Sequence, residues 1–481
     1  MLTMCGFQLF YGRLYTFYSP KLVFLIAIFI FEIGSAICGA APNSTVFIVG
    51  RAIAGMGGSG AFSGAIVIII YTVPLHKRPV YQGMIGSIFG IASVAGPLLG
   101  GLFTSKVTWR WCFYINLPIG GVSMVILFFI LELPPPKNKG TPLKQQFLQL
   151  DPIGTALFLP GIVCILLALQ WGGSTYNWSN ARIIVLIILF ALLITGFILV
   201  QLWKKEMGTV PPRIASQRSV AAGMWVTFCT GGSFMTIVYF IPIWFQAIKD
   251  VSAVQSGIMN LPLILSLVVA SVSAGIAVNK IGYYTPFIFA QAVIMTVGAG
   301  LLTTFTPFTP HEKWISYQFL FGFGLGLGMQ QSTLAAQAVL PRQDAPTGVS
   351  LIMFTMQLGG AVFVSVGQNV FTNELAKGIS SIAGINPKVI VNTGATELRR
   401  IVPRDVLPMV LDRYNRALVR CFDVALALAV AIWLGAVWIE WKSVKRDKKV
   451  DQANEAKAKE KRASALLEKE EEKRASQLME K

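Results

Sequence analysis

Histidine is almost absent from this 481-residue chain, which has only His76 and His311, both in polar connectors. Charge is scarce as well: 13% of residues are Asp, Glu, Lys or Arg, against roughly a quarter in a soluble domain. Even that share is concentrated at the end of the chain, where residues 442–481 hold 22 of the 62 charged side chains. An ordinary water-soluble domain is thereby excluded. Paired cysteines are missing too. Cys5, Cys38, Cys112, Cys164, Cys229 and Cys421 stand singly with no C-x-x-C spacing, which argues against a metal centre and a disulfide framework. The apolar stretches hold no clustered acids and no nucleophile–base pair, so an enzyme is the least favoured class and no cofactor is expected. A charged start followed by a small-residue cleavage site is also lacking, so no signal peptide is read.

What the chain does have is apolar length. Hydrophobic residues make up 54% of it, in runs of roughly 20 residues that match the thickness of a bilayer core and not the short runs of buried strands. The reading is an all-α polytopic membrane protein with about twelve complete spans, near 22–40, 46–70, 80–103, 113–131, 153–169, 183–203, 220–244, 256–278, 286–305, 314–338, 348–370 and 422–441. Residues 1–10 are apolar but too short to cross, and read as the end of a helix whose beginning is missing. The net charge of +18 needs no nucleic-acid partner, because Lys and Arg gather in the cytoplasmic connectors of membrane proteins. With the segment before Leu22 inside, inner connectors hold thirteen Lys and Arg and the short outer ones five. The exception is the long outer connector 372–420, with eight basic residues. The tail 442–481 mixes Lys, Arg, Glu and Ala and is expected as a solvated cytoplasmic segment. Asn43 in N-S-T and Asn177 in N-W-S match the glycan acceptor pattern in outer connectors.

Several strings carry more than hydropathy. Gly12-Arg13-Leu14 opens an inner turn that is echoed at Gly275, Asn279, Lys280 and Gly282, where glycine with a cation or amide lets two helix ends approach, unless each is a simple helix stop. The matched placement points to an internal repeat. Arg51 puts a guanidinium in a glycine-lined apolar helix, either with buried partners or snorkelling to the outer interface. Glu32 is the one acidic residue in the middle of a span, either a proton carrier or a protonated carboxyl bonded to a neighbouring helix. The third span carries Gly90, then Gly96-Pro97 and Gly100-Gly101, a flexible, tight-packing pattern that suits a gate or plain helix packing. At the outer end, Trp109, Arg110 and Trp111 suit headgroup depth, while Asn116, Pro118 and Gly120 are not explained by anchoring. Gln330, Gln331 and Gln357 are amides on apolar spans, either lining a cavity or bonded in the core.

Taken together, R-x-x-x-G in the second span, G-P-x-x-G-G at Gly96–Gly101 and W-R-W-C-F-Y-I-N-L-P-I-G from Trp109 resemble the major facilitator superfamily, in its fourteen-span drug:proton antiporter branch of fungal type. Residues 241–246 and 368–373 are similar to fungal toxin and drug efflux members. The resemblance implies two six-helix bundles with two linker spans between them and a midplane cavity. On that plan residues 1–131 form a first bundle lacking its first span and most of its second. Residues 132–219 hold the linker spans, 220–441 the second bundle, and 442–481 the tail. The family's intramembrane Asp of the first helix has no counterpart here, and Thr16 and Asn279 stand where members commonly have Asp.

The function expected is proton-coupled export of a small apolar compound, such as a fungal toxin, secondary metabolite or drug, by alternating access. Glu32 and Arg51 would tune the proton step. Membrane lipid, protons and the cargo are the partners, and a monomer in the plasma membrane is expected, with a vacuolar or vesicular membrane as the alternative. The competing readings are uptake, siderophore or polyamine traffic on the same fold, and a shortened regulator or inactive remnant that does not transport.

Overall fold

The computed structural model describes residues 2–133, 142, 146, 149–173, 176–380, 382, 387–394 and 397–445, and only the backbone of Val94, Pro97, Leu98, Ser105, Lys388 and Asn392. The tail from residue 446 on therefore lies outside the described residues, as does most of connector 134–148.

The regular elements among the described residues are helices. Apart from short turns in the connectors, they are α1 (Leu2–Phe17), α2 (Pro20–Ala40), α3 (Ser44–Thr72), α4 (Arg78–Lys106), α5 (Trp111–Tyr114), α6 (Asn116–Ile130), α7 (Pro152–Trp171) and α8 (Ala181–Lys204). Then follow α9 (Arg218–Lys249), α10 (Ala253–Met259), α11 (Leu261–Ile281), α12 (Thr285–Leu302), α13 (His311–Gly328), α14 (Gln331–Val339), α15 (Ala345–Ile379) and α16 (Leu407–Ala436). Their starts are written in the sequence. Pro opens α2, α4, α7, α11, α12, α15 and α16, where its missing N–H costs nothing. Asn43, Asn180 and Gln217 accept backbone N–H groups at the starts of α3, α8 and α9. Gly282, at φ +93°, ends α11 in the left-handed region that favours glycine.

Among the described residues, ten of the passes are long and apolar enough to cross a membrane. The other two of the expected twelve are α4, diluted by glycine and serine, and the α13–α14 pair, which breaks at Met329–Gln330. Successive passes run antiparallel, so connectors collect at two ends, here called inner (Ser19, His76, Asp151, Asp344) and outer (Asn43, Thr108, Asn177, Thr306).

Helices α2 and α3 pack backbone to backbone: a Cβ on Gly34 would sit 2.6 Å from Ala54 Cα, the close approach that small residues permit between apolar helices. α9 to α16 surround one large apolar core holding Trp244, Phe245, Phe321 and Phe422. Inside it Trp244 Nε1 donates to Asn415 Oδ1 at 2.7 Å and Asn415 Nδ2 to Phe305 O at 2.9 Å, so the buried amide is satisfied. α7 and α8 pair with each other and rest on α1 and α15 through Phe158, Phe197, Leu9 and Phe354.

Two boundaries differ from expectation. Gly12 and Arg13 are not in a turn but buried inside α1, and the turn comes at Tyr18–Ser19. The outer connector is shorter than 372–420, because α15 runs on to Ile379 and α16 begins at Leu407. Charges that read as loop instead form helical pairs, Asp412–Arg416 at i,i+4 and Arg420–Asp423 at i,i+3.

Candidate functional site

The contact between α4 and α11 joins the two halves of the molecule, and it is tight only toward the inner end. A Cβ on Gly83 would lie 2.7 Å from Ser271 O, and one on Gly275 2.5 Å from Pro79 O. Ser271 Oγ donates to Gly83 O at 3.3 Å, and Asn279 Nδ2 to His76 O at 2.8 Å. Arg78 donates to Val73 O and Ile70 O, both at 2.9 Å, and to Gln337 Oε1 at 3.4 Å, while Arg342 reaches Tyr71 O at 2.7 Å. On the other side of the same end, Gly12 lies against Ser350, where a Cβ would sit 2.7 Å from its Oγ, and Thr16 Oγ1 is 3.1 Å from Thr347 Oγ1. Seen from this end the molecule is shut.

The outer half of α4 behaves differently. Gly90 still packs on Val268, but a Cβ on Gly96 would meet no described atom within 4 Å, one on Gly100 would meet Cys112 Sγ at 4.0 Å, and one on Gly101 Val254 at 3.2 Å. Pro97 falls within α4 with its side chain outside the described residues. Of the glycine run expected to gate or pack, Gly90 is packed while Gly96 and Gly100 have open space among the described residues, and Gly83, Gly86 and Gly275 pack closely toward the opposite end.

Between these levels lie two cavities that share Phe89. The outer, of about 230 Å³, is lined by Ser93, Phe234, Pro242, Gln246 and Asn260 among others. The deeper, of about 50 Å³, is lined by Phe62, Met235, Met329, Met353 and Met356 together with the polar Gln330, Thr333 and Gln357. Phe89 and Phe234 face each other with centroids 6.2 Å apart. Gln330 makes no side-chain hydrogen bond to a described residue, and Gln357 reaches only Met4 Sδ at 3.7 Å, so two amides are free to meet a guest in a wall of aromatic rings and thioethers. Gln331 is not part of this lining and donates to Leu327 O at 3.2 Å. Gln8, on α1, is fully buried, donates to Ser63 Oγ at 2.6 Å and touches Met353 Sδ at 3.7 Å.

Glu32 lies away from this cavity, between α2 and α6. Its carboxyl occupies the space that a side chain at Gly120 would need, and a turn further along Asn116 Nδ2 donates to Ser35 Oγ at 3.2 Å. The Asn116–Gly120 spacing is thus a niche for the α2 carboxyl, and Pro118 is in the first turn of α6, where proline is tolerated. Arg51 is exposed on α3, with its guanidinium over the Phe113 ring at 5.8 Å and no ion pair among the described residues. Arg110 stacks on Trp109 at 4.7 Å and donates to Ala41 O at 3.2 Å, with Trp109 and Trp111 both exposed at headgroup depth. Lys280 is exposed at the inner end, while Asn43 and Asn177 are exposed at the outer end, Asn43 capping α3.

One inner-end cluster had no sequence signal. Asp151 is 0% exposed and accepts from Gln201 Nε2 (2.7 Å), Lys204 Nζ (2.8 Å), Thr209 N (2.9 Å), Gly154 N (3.0 Å) and Thr209 Oγ1 (3.0 Å). Burial pushes its carboxyl upward, but the donors from Lys204, Gln201, Thr209 and Gly154 outweigh it and hold the pKa at about 2. Beside it Arg13 donates to Gln149 O (3.1 Å) and Glu206 O (3.3 Å), and Arg213 bridges Glu206 (3.1 Å) to Asp344 (2.9 Å) at the start of α15. The cluster ties α1, α7, α8 and α15 together.

The sequence profile of the Major Facilitator Superfamily matches residues 1–364. The MFS-type transporter VdtG of Byssochlamys spectabilis is 53% identical over 93% of this chain and 81% of its own length. The MFS-type efflux pump MFS1 of Trichophyton rubrum is 55% identical over 94% and 85%, and the efflux pump aflT of Aspergillus parasiticus 51% over 93% and 88%. Among solved structures, the MFS proton:xylose symporter XylE bound to 6-bromo-6-deoxy-D-glucose superposes with a TM-score of 0.56, over 93% of this chain and 87% of its own, at 13% identity. The human organic anion transporter MFSD10 gives 0.51 over 88% and 81%, at 14% identity. At such identities the structural likeness speaks to fold alone.

Proposed function

Because the chain belongs to the Major Facilitator Superfamily, we propose that it is a proton-coupled efflux transporter that expels a small apolar compound, such as a fungal toxin, secondary metabolite or drug, by alternating access. The observation that carries this reading is the pair of cavities that meet at Phe89, the deeper one walled by Phe62, Met353 and Met356 with free amides from Gln330 and Gln357. Such a wall accepts flat apolar molecules by area and selects among them by one or two hydrogen bonds. Half of the sequence is shared with relatives whose printed names are efflux pumps, and no observation favours uptake or a silent role.

The proton site is Glu32. It does not line the cavity, so protonation acts through the α2–α6 niche at Gly120 and biases one state over the other, rather than competing with cargo atom for atom. The transporter works as a monomer in the plasma membrane, with the Asp151 end and the tail in the cytoplasm.

Transport into inside-out vesicles tests the reading. Export that collapses when the proton gradient is dissipated, and a Glu32→Gln variant that binds cargo but cannot concentrate it, are the expected results. Gradient-independent export rejects the coupling, and a Glu32→Gln variant that pumps at the wild-type level removes Glu32 from it.

A further inference from the structure

A large cavity lies away from the contact between the two halves. A cleft of about 1430 Å³ opens at the outer end between the α12–α13 connector, the last turns of α15 and the first half of α16, and shares no lining residue with the cavities around Phe89. Its charge is lopsided, with six basic side chains against three acidic ones. Three of the arginines are accounted for: Arg416 pairs with Asp412 at 3.1 Å, Arg420 with Asp423 at 3.0 Å, and Arg399 with Asp250 at 3.5 Å. Lys377, Arg404 and Arg413 have no ion pair among the described residues, and the Nε of Arg413 is buried without a hydrogen-bond partner. Glu374 is the only acid of the lining left unpaired. Buried donors without acceptors are costly, so a guanidinium left in that condition calls for an anion.

Depth identifies the kind of anion. α16 has 30 residues, about 45 Å at 1.5 Å per residue, while the hydrocarbon core is about 30 Å thick. Counted from Ala436 at the inner end, the core is spent after roughly 20 residues, close to Arg416. Arg413, Arg404 and Lys377 then stand at the level of the lipid phosphates. Below them, toward the bilayer, the cleft is lined by Ala417 and Val419, the next turns of α16. Basic groups at headgroup depth above an apolar wall fit one molecule that is anionic at the top and greasy below.

We infer that this cleft binds an anionic phospholipid, its phosphate held by Arg413 and Arg404 and its chains laid along Ala417 and Val419. The inference needs the chain to be a membrane protein but does not depend on what it exports or on how export is powered.

The purified full-length protein in neutral detergent is titrated with phosphatidylglycerol, with dioleoylglycerol and inorganic phosphate as separate arms, and lipid retention is read by native mass spectrometry alongside the melting temperature. Phosphatidylglycerol alone is expected to stay bound and raise the melting temperature. The double variant Arg413→Gln, Arg404→Gln weakens its binding roughly thirtyfold. If Arg413→Gln prevents folding, the exposed pair Arg404→Gln, Lys377→Gln gives the same readout with a smaller loss. Equal retention of dioleoylglycerol, or variants that hold phosphatidylglycerol as the wild type does, overturns the inference. A shift with inorganic phosphate as large as with phosphatidylglycerol also overturns it, and assigns the cleft to a free anion.

Discussion

The two halves of α4 use glycine in opposite ways. Toward the inner end Gly83 and the facing Gly275 put backbone against backbone, with no space for a Cβ on either. Toward the outer end Gly96 and Gly100 face almost nothing among the described residues, and the cavity that ends at Phe89 touches α4 at Gly90 and Ser93. A helix with small residues along its whole length but packed along half of it is built for two partners. The structure holds the arrangement in which the inner end is closed, and the proposed alternating access needs Gly96 and Gly100 to come into close approach in the opposite one.

Gly83→Leu and Gly275→Leu attack the packed half and carry the largest expected effect. Each forces a side chain onto a carbonyl, at a cost of roughly 1–3 kcal/mol or more in a well-packed site. Transport in either variant is expected below a tenth of wild type, and wild-type rates in both would show that the inner contact is dispensable. Asp151→Asn comes next. It removes the charge that faces Lys204, and breaking a buried pair costs about 3 kcal/mol, which is read as a lower melting temperature with the inner end loosened first. The wild-type carboxyl is held at about 2 against an ordinary 3.8, so its stabilisation is complete above about 4 and is lost as pH falls through about 2. A melting temperature that differs between wild type and Asp151→Asn by a constant amount from pH 8 to pH 4 is the expected signature.

Gly96→Ala separates packing from movement. With nothing within 4 Å, an added methyl leaves stability unchanged or raises it by up to about 1 kcal/mol through helix propensity, yet transport falls severalfold because the outer half must later close. Equal transport would mean that Gly96 never packs. The smallest effect is expected from Gln330→Ala with Gln357→Ala, which keeps the apolar wall and removes the amides. Stability hardly changes, and the KM for a hydrogen-bonding cargo rises severalfold while that for a purely apolar one does not.

Much of the architecture was legible because bilayer thickness and helix starts leave direct marks: runs of about 20 apolar residues, Pro in first turns, Asn43 as a cap. Gln330 and Gln357 were legible as amides on apolar helices. The walls around them were not, because Phe89, Phe62 or Met353 on an apolar helix reads the same whether it faces lipid, core or cavity. Arg51 drew attention by being charged, yet its aliphatic stem and position near a helix start let it sit outside the bundle, over Phe113. Residues 407–420 looked like a loop because they are charged, whereas helical ion pairs and the cleft above the core keep them in α16. Asp151 could not be found from its neighbours in sequence, since its partners Gln201, Lys204 and Thr209 come from α8 and the turn beyond it.

Pulsed electron resonance distances across the two ends of α4 test the central claim most directly. In a background with the six native cysteines replaced, one spin-label pair sits at Lys77 and Lys280 at the inner end and another at Lys106 and Ala253 at the outer end. The account predicts that a change of pH or addition of cargo lengthens the first distance while shortening the second. Distances that stay fixed, or that lengthen together, would contradict it.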